Sequence, residues 1–285
     1  MSTAQKPWVD GPFTLISASK AGDSVWLHPF LMRRGEYISL TADAFQLDKR
    51  ATGARQCAAG MTVVHNLFLR GINAIYLQAV NVSQRGSQKD KLDFASFAWS
   101  WSEEVLAHHT AEETDIFPEI DRITGVPGLM DANIEEHHLF HTGLDRFREY
   151  LTKVRKEEEE FSGEKLIEIV DSFMPILRTH LENEIETLVD LEKYADKCDW
   201  GAWFEKKGAE LGKKAMGNAS HRKELLPLAM VLHDKTYEGG IWQDFPPLPW
   251  IALTAIRWFF VSAHQDWWRF SGCDSYGVPK ELPFV

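Results

Sequence analysis

Seven side chains in this sequence have the types and spacing to hold metal ions: His65, His109, Glu113, His137, His141, His180 and Glu184. Six of them form pairs spaced four residues apart, at 109/113, 137/141 and 180/184. Residues four apart on a helix share one face, one turn from each other. The positions around them are largely apolar, so these faces are expected to point inward. A buried imidazole or carboxylate with no partner costs several kcal/mol. Seven of them converging need compensation, and a pair of metal ions supplies it. Imidazole and carboxylate suit iron, zinc and manganese, while the lack of thiolate disfavours copper(I) and iron–sulfur clusters.

Four helical stretches carry these residues. From about Ala58 to Val82, Met61, His65, Phe68, Ile72 and Tyr76 fall on one stripe. The polar run NVSQRGSQKD ends it. A second helix is predicted from about Asp90 to Ile120, with Phe97, Trp101, Val105, His109 and Glu113 at steps of four. Pro118 lies near its end and the turn GVPGL closes it. Asn133 with Glu136 reads as a capping box for the third helix. That helix runs to about Glu157 with Ile134, His137, His141, Leu144 and Leu151 inward. Ser162 and Gly163 break the chain and cap the fourth, from about Glu164 to Tyr194. Its stripe is Phe173, Leu177, His180, Glu184, Leu188 and Leu191, and Pro175 is expected to kink it. Short connections between long helices imply an all-α, up-down-up-down four-helix bundle.

Adjacent histidines must be separated by face. His108 and His109 point about 100° apart. His109 is grouped with Phe97, Trp101 and Val105, and His108 with Glu104 and Glu112. The expected inward pair is therefore His109 with Glu113, and His108 with Glu112 is expected outward. By the same test His137 faces inward and His138 outward. His28, His221, His233 and His264 stand alone and read as ordinary hydrogen-bonded histidines. Trp101 and Tyr76 read as core.

The segments VVHNLF at His65, HTAEE from His109, HHLFH from His137 and HLENE from His180 resemble the hemerythrin-like, or HHE cation-binding, family over about residues 58–194. The resemblance implies a non-haem diiron centre that takes O2 as a ligand. In it Glu113 and Glu184 bridge two iron ions, which also share an oxo or hydroxo bridge. His137, His141 and His180 complete one iron. His65 and His109 complete the other, which keeps a position open for O2. A Glu four residues after His180, rather than an Asp five after, points to the broader HHE group and away from dedicated oxygen carriers.

The rest of the chain frames this bundle. Residues 1–57 read as an irregular arm. Residues 195–285 hold seven of the eleven tryptophans and the cluster FPPLPW. They are expected to form a helical extension packed on the bundle, with a lid or a homodimer surface as the alternatives. The tract from Leu248 to Ala263 is shorter than the ~20 residues that span a bilayer, and Arg257 interrupts it, so a buried helix is expected. A net charge of −11 argues against nucleic acid and anionic lipid as partners. Three scattered cysteines without Cys-x-x-Cys indicate a reducing compartment and no zinc ribbon. The opening MSTAQKPWVDG has no signal pattern, so a cytoplasmic location is expected. Three function classes follow. One is an oxidoreductase, a diiron oxygenase or oxidase acting on a small molecule under the extension. Another is a non-catalytic protein that binds O2, NO or iron for sensing or storage. The third is a structural bundle, and the inward polar residues speak against it.

Overall fold

The computed structural model describes residues 9–17, 53–217 and 226–285. His28, His221 and most of the expected arm lie outside them. The described residues contain no β-strand. Helix α1 spans Ala54–Arg85 and α2 spans Gln88–Ala111. A π-helical turn, Glu112–Ile116, carries α2 directly into α3, Phe117–Thr124. Helix α4 spans Asp131–Arg155 and α5 spans Gly163–Asp190. α1 packs on α2 and α5, and α4 packs on the same two, which closes the expected bundle.

Local chemistry sets the helix ends. Ser87 accepts from the Asp90 N–H, and the Asp90 carboxylate accepts from the Ser87 N–H, a reciprocal capping box that starts α2. The Asn133 box is not a helix start: α4 begins at Asp131, and Asn133 is buried inside it. In the turn before it, Gly125 and Gly128 both adopt positive φ, at 74° and 77°. Ser162 caps α5 by accepting from the Lys165 N–H at 3.2 Å. A Cβ on Gly163 would run into the Ala79 carbonyl oxygen, so only glycine lets α5 start against α1. Pro175 lies inside α5 without ending it.

Large side chains fill the bundle below the polar cluster. Trp101, Phe97, Phe147 and Phe173 are fully buried. The Trp101 indole N–H donates to the Phe68 carbonyl at 2.9 Å, which fixes α2 on α1 and confirms its core role.

The C-terminal residues pack on this frame. Helix α6, Trp200–Gly217, lies along α1. Lys214 on α6 reaches Asp115 in the π turn at 2.9 Å, and Lys207 pairs with Glu119 on α3. Helix α7, Leu226–Leu232, also contacts α1. Phe270 packs edge-on to Phe94 at 5.1 Å, and its carbonyl accepts from Gln78 at 2.9 Å. Helix α8, Trp250–Ile256, continues through a second π turn, Arg257–Val261. The buried helix expected over this tract is overturned. Trp250 is 74% exposed, Ile251 64%, Trp258 73% and Phe259 72%. The tract is apolar on all sides, but only the side of Ile256 meets the protein, so the other sides face out. Arg257 ties it down, donating to the Ser275 carbonyl at 2.9 Å and stacking over Tyr276.

Candidate metal centre

The helical repeat decides which side chains on α2 can reach the bundle centre. Measured from the buried Trp101, His108 and Glu112 are each turned by only about 20°, whereas Glu113 is turned by about 120°. The structure agrees: Glu112 is fully buried, and the Glu113 side chain is one-third exposed at 33%. The outward placement expected for His108 and Glu112 is therefore wrong, and so is the inward placement of Glu113. The backbone changes at the same point. The Phe117 N–H donates to the Glu112 carbonyl five residues back, and Pro118 has no N–H with which to resume the α pattern at once.

Two groups of donor atoms result, each with all its atoms within 4.8 Å of one another. The first is His109, Glu112, His137 and His180; the second is His65, His108, Glu112 and Glu184. Glu112 belongs to both. Its Oε1 lies 2.8 Å from His108 Nε2, and its Oε2 lies 3.7 Å from His137 Nε2. One oxygen thus faces each group. Glu184 belongs to the second group, with Oε2 3.3 Å from His65 Nε2, and the same oxygen lies 3.8 Å from His180 Nε2 of the first. Five of the seven residues singled out in the sequence are in these groups: His65, His109, His137, His180 and Glu184.

Glu113 and His141 are in neither group. Glu113 instead accepts from His137 Nδ1 at 2.7 Å. On α4 the inward place one turn after His137 belongs to Phe140, which is fully buried with its ring 5.0 Å from that of His109. His141 lies to one side of that ring. His138 is exposed as expected. His233 is an ordinary buried histidine whose Nε2 meets the Trp242 carbonyl at 2.8 Å.

Proton positions follow from the partners. A carboxylate or carbonyl can only accept, so a ring nitrogen facing one carries the hydrogen. His137 Nδ1 faces Glu113, and His180 Nδ1 faces Glu136 at 2.9 Å, which Asn183 holds in place at 2.6 Å. His65 Nδ1 faces the Leu181 carbonyl at 2.8 Å. Each of these rings therefore turns a bare Nε2 to the centre. The Nε2 atoms of His137 and His180 are 3.1 Å apart, and those of His65 and His108 are 3.3 Å apart. For His137 and His180, both with Nδ1 committed to a carboxylate, two lone pairs at that separation repel unless a cation lies where they converge. Both nitrogens of His109 and both carboxylate oxygens of Glu112 and Glu184 are buried without an aligned hydrogen bond. A metal ion resolves each of these deficits at once.

The electrostatics suit such an ion. Burial, reinforced by the neighbouring histidines, holds the His109 imidazole well below its ordinary pKa, and burial takes His180 down to about 3. Neutral imidazoles are the form that binds metal. Burial, with Glu184 beside it, pushes the Glu112 carboxyl well above the usual range. Burial also acts to raise Glu184, but His65 and the other histidines outweigh it and hold the carboxyl at about 2. A cation between the two carboxylates would let both ionise. Phe68, Phe117 and Phe140 pack against the rings of His108, His137 and His109 and give the cluster an apolar wall.

Residues 59–191 match the hemerythrin HHE cation binding domain. The chain is 32% identical over 228 residues to the dimeric xanthone biosynthesis cluster protein R11 of Cryptosporiopsis sp. (strain 8999), an alignment that covers 80% of this chain and 82% of that protein. No solved structure is matched.

Proposed function

This chain belongs to the hemerythrin HHE cation-binding family, and from that premise we propose that it is a non-haem diiron oxidoreductase that uses O2 on a small molecule. His109, His137 and His180 would hold one iron, and His65 and His108 the other. Glu112 and Glu184 would be shared between them. The observation that carries this reading is the pair of bare Nε2 atoms 3.1 Å apart, each with its opposite nitrogen committed to a carboxylate. Two iron ions so held, with an oxo or hydroxo bridge, would supply the electrons and the coordination position that O2 chemistry requires. The chain's own part is positioning. Glu113 and Glu136 orient two rings and raise their basicity, and the phenylalanines exclude water.

Work on a substrate is favoured over sensing or storage by the relative, whose name ties that protein to xanthone biosynthesis. The substrate would then be an aromatic small molecule, reached from the side covered by the extension. The bundle starts at Ala54, four residues before the expected 58, because α1 begins there, and residues 195–285 would form the extension. A cytoplasmic location is supported by the free thiols Cys57, Cys198 and Cys273. No described helix is long and apolar enough to cross a membrane.

The extension also supports a homodimer. Trp250, Ile251, Trp258 and Phe259, with the 39% exposed Leu248, lie on or beside α8. Together they present roughly 600 Å² of apolar surface, against the roughly 800 Å² per partner of a stable interface. No acidic residue occurs between Phe245 and His264, and Arg257, the charged side chain in that stretch, is turned to the Ser275 carbonyl and Tyr276, so the net charge of −11 sets no acidic repulsion against a second copy there.

Anaerobic loading with ferrous iron, then admission of O2, tests the function. About two irons per chain, oxidised at once and turning over faster with an aromatic substrate, is the expected result. An oxygen adduct that forms and reverses without turnover would mean a binding protein for O2, NO or iron. Failure to take up iron would end the reading.

A further inference from the structure

We propose that Glu104 serves the open side of the metal held by His65 and His108, as a carboxylate that any incoming ligand must displace. The inference rests on the diiron reading above. The two donor groups are unequal. One offers three imidazoles and the other two, and Glu112 and Glu184 lie between them. Each group has four residues, but the His65/His108 position holds one imidazole fewer and depends on carboxylates that Glu112 and Glu184 would share with the other metal.

Glu104, His108 and Glu112 follow one another at steps of four on α2 and on into the π turn, so they project to the same side of it. Glu104 lies about 6 Å before His108 along the axis, within the swing of a glutamate side chain. Its Oε2 is buried and has no hydrogen-bond partner. Burial pushes this carboxyl up to about 7, and the one group that offsets the burial is the His108 imidazole. Its neighbour Glu103 is different, since it pairs with Arg148 at 2.6 Å. Glu104 is half-buried, and a carboxylate oxygen kept buried without a donor costs stability unless it finds a partner. The metal that His108 would hold is the cation we assign to it. Displacement is then a plain ligand exchange, in which the Glu104 oxygen leaves the metal and the new ligand takes its place with no change of oxidation state.

Azide, a small anion whose binding to ferric iron is read optically, is the probe. The iron-loaded, oxidised full-length protein is titrated alongside Glu104→Gln, Glu104→Asp and Glu103→Gln, with iron counted in each. Glu104→Gln, close in size and uncharged, should keep its iron and bind azide about tenfold more tightly than the unsubstituted protein. Glu104→Asp, one methylene shorter, should shift the same way, and Glu103→Gln should not shift. Equal azide affinity in the unsubstituted and Glu104→Gln proteins, both carrying two irons, would overturn the role of Glu104 alone. An unsubstituted protein that takes up no iron would instead sink the diiron reading and this inference with it.

Discussion

The centre of the bundle and the outer face of α8 depart from ordinary burial in opposite directions. In the centre, His65, His109, His137, His180, Glu112 and Glu184 are at most 1% exposed. On α8, Trp250, Trp258 and Phe259 are more than 70% exposed. Each arrangement is costly alone, and each implies a partner. They differ in how narrowly that partner is specified. In the centre, Nδ1 of His65, His137 and His180 each has a named acceptor, so the remaining lone pairs define points in space. On α8 only area and the lack of charge define the fit. Single substitutions should therefore abolish the function of the centre and only weaken that of the surface.

The largest expected effect is at Glu112. Glu112→Ala should empty both metal positions by metal counting, because one side chain serves both. Glu113→Ala should leave both positions present but weaken binding by about 10–100-fold, as for loss of an orienting partner. If Glu113→Ala loses the metals and Glu112→Ala keeps them, the inner half of the comparison fails. Next is metal removal. In urea unfolding, the iron-loaded protein should exceed the metal-free protein by about 4 kcal/mol for each metal bound, at a metal concentration a thousand times the dissociation constant.

His233 sharpens the comparison, as a buried histidine with one nitrogen on a backbone carbonyl and, among the described residues, no second ligand-type side chain grouped with it. Burial holds its folded pKa at about 4, below the ordinary value of 6.5. The unfolded chain therefore takes up the proton first on acidification. Stability from this group is full above pH 6.5 and is lost as pH falls toward 4, by up to about 3 kcal/mol. His233→Gln should flatten that slope in denaturation curves without changing iron content. The smallest effect belongs to the surface. Trp258→Asp should weaken self-association by about a hundredfold, seen by sedimentation, and leave the iron untouched. An unsubstituted protein that stays monomeric at high concentration would remove the second copy from the outer half.

The four helices could be read from the sequence because their apolar stripes are long and their breaks chemically plain, as at Ser162 and Gly163. The centre could be read as a cluster of histidines and glutamates, but not to the residue. Steps of four drift by about 40° each, so a stripe followed from Phe97 in fours leaves the core before it reaches Glu113. The core itself steps from His109 to Glu112 and from His137 to Phe140, three residues each time. Projection at 100° per residue from Trp101 alone would have named His108 and Glu112. The orienting groups Glu136 and Asn183 come from the meeting of α4 and α5, which no single stretch encodes. The tract of α8 is apolar on every side and gave no face to read.

The most direct test is anomalous diffraction at the iron edge from crystals of the loaded protein. The account predicts two peaks that share Glu112, one among His109, His137 and His180 and the other beside His65 and His108. A single peak, or a pair ligated by Glu113 and His141 with Glu112 turned away, would contradict it.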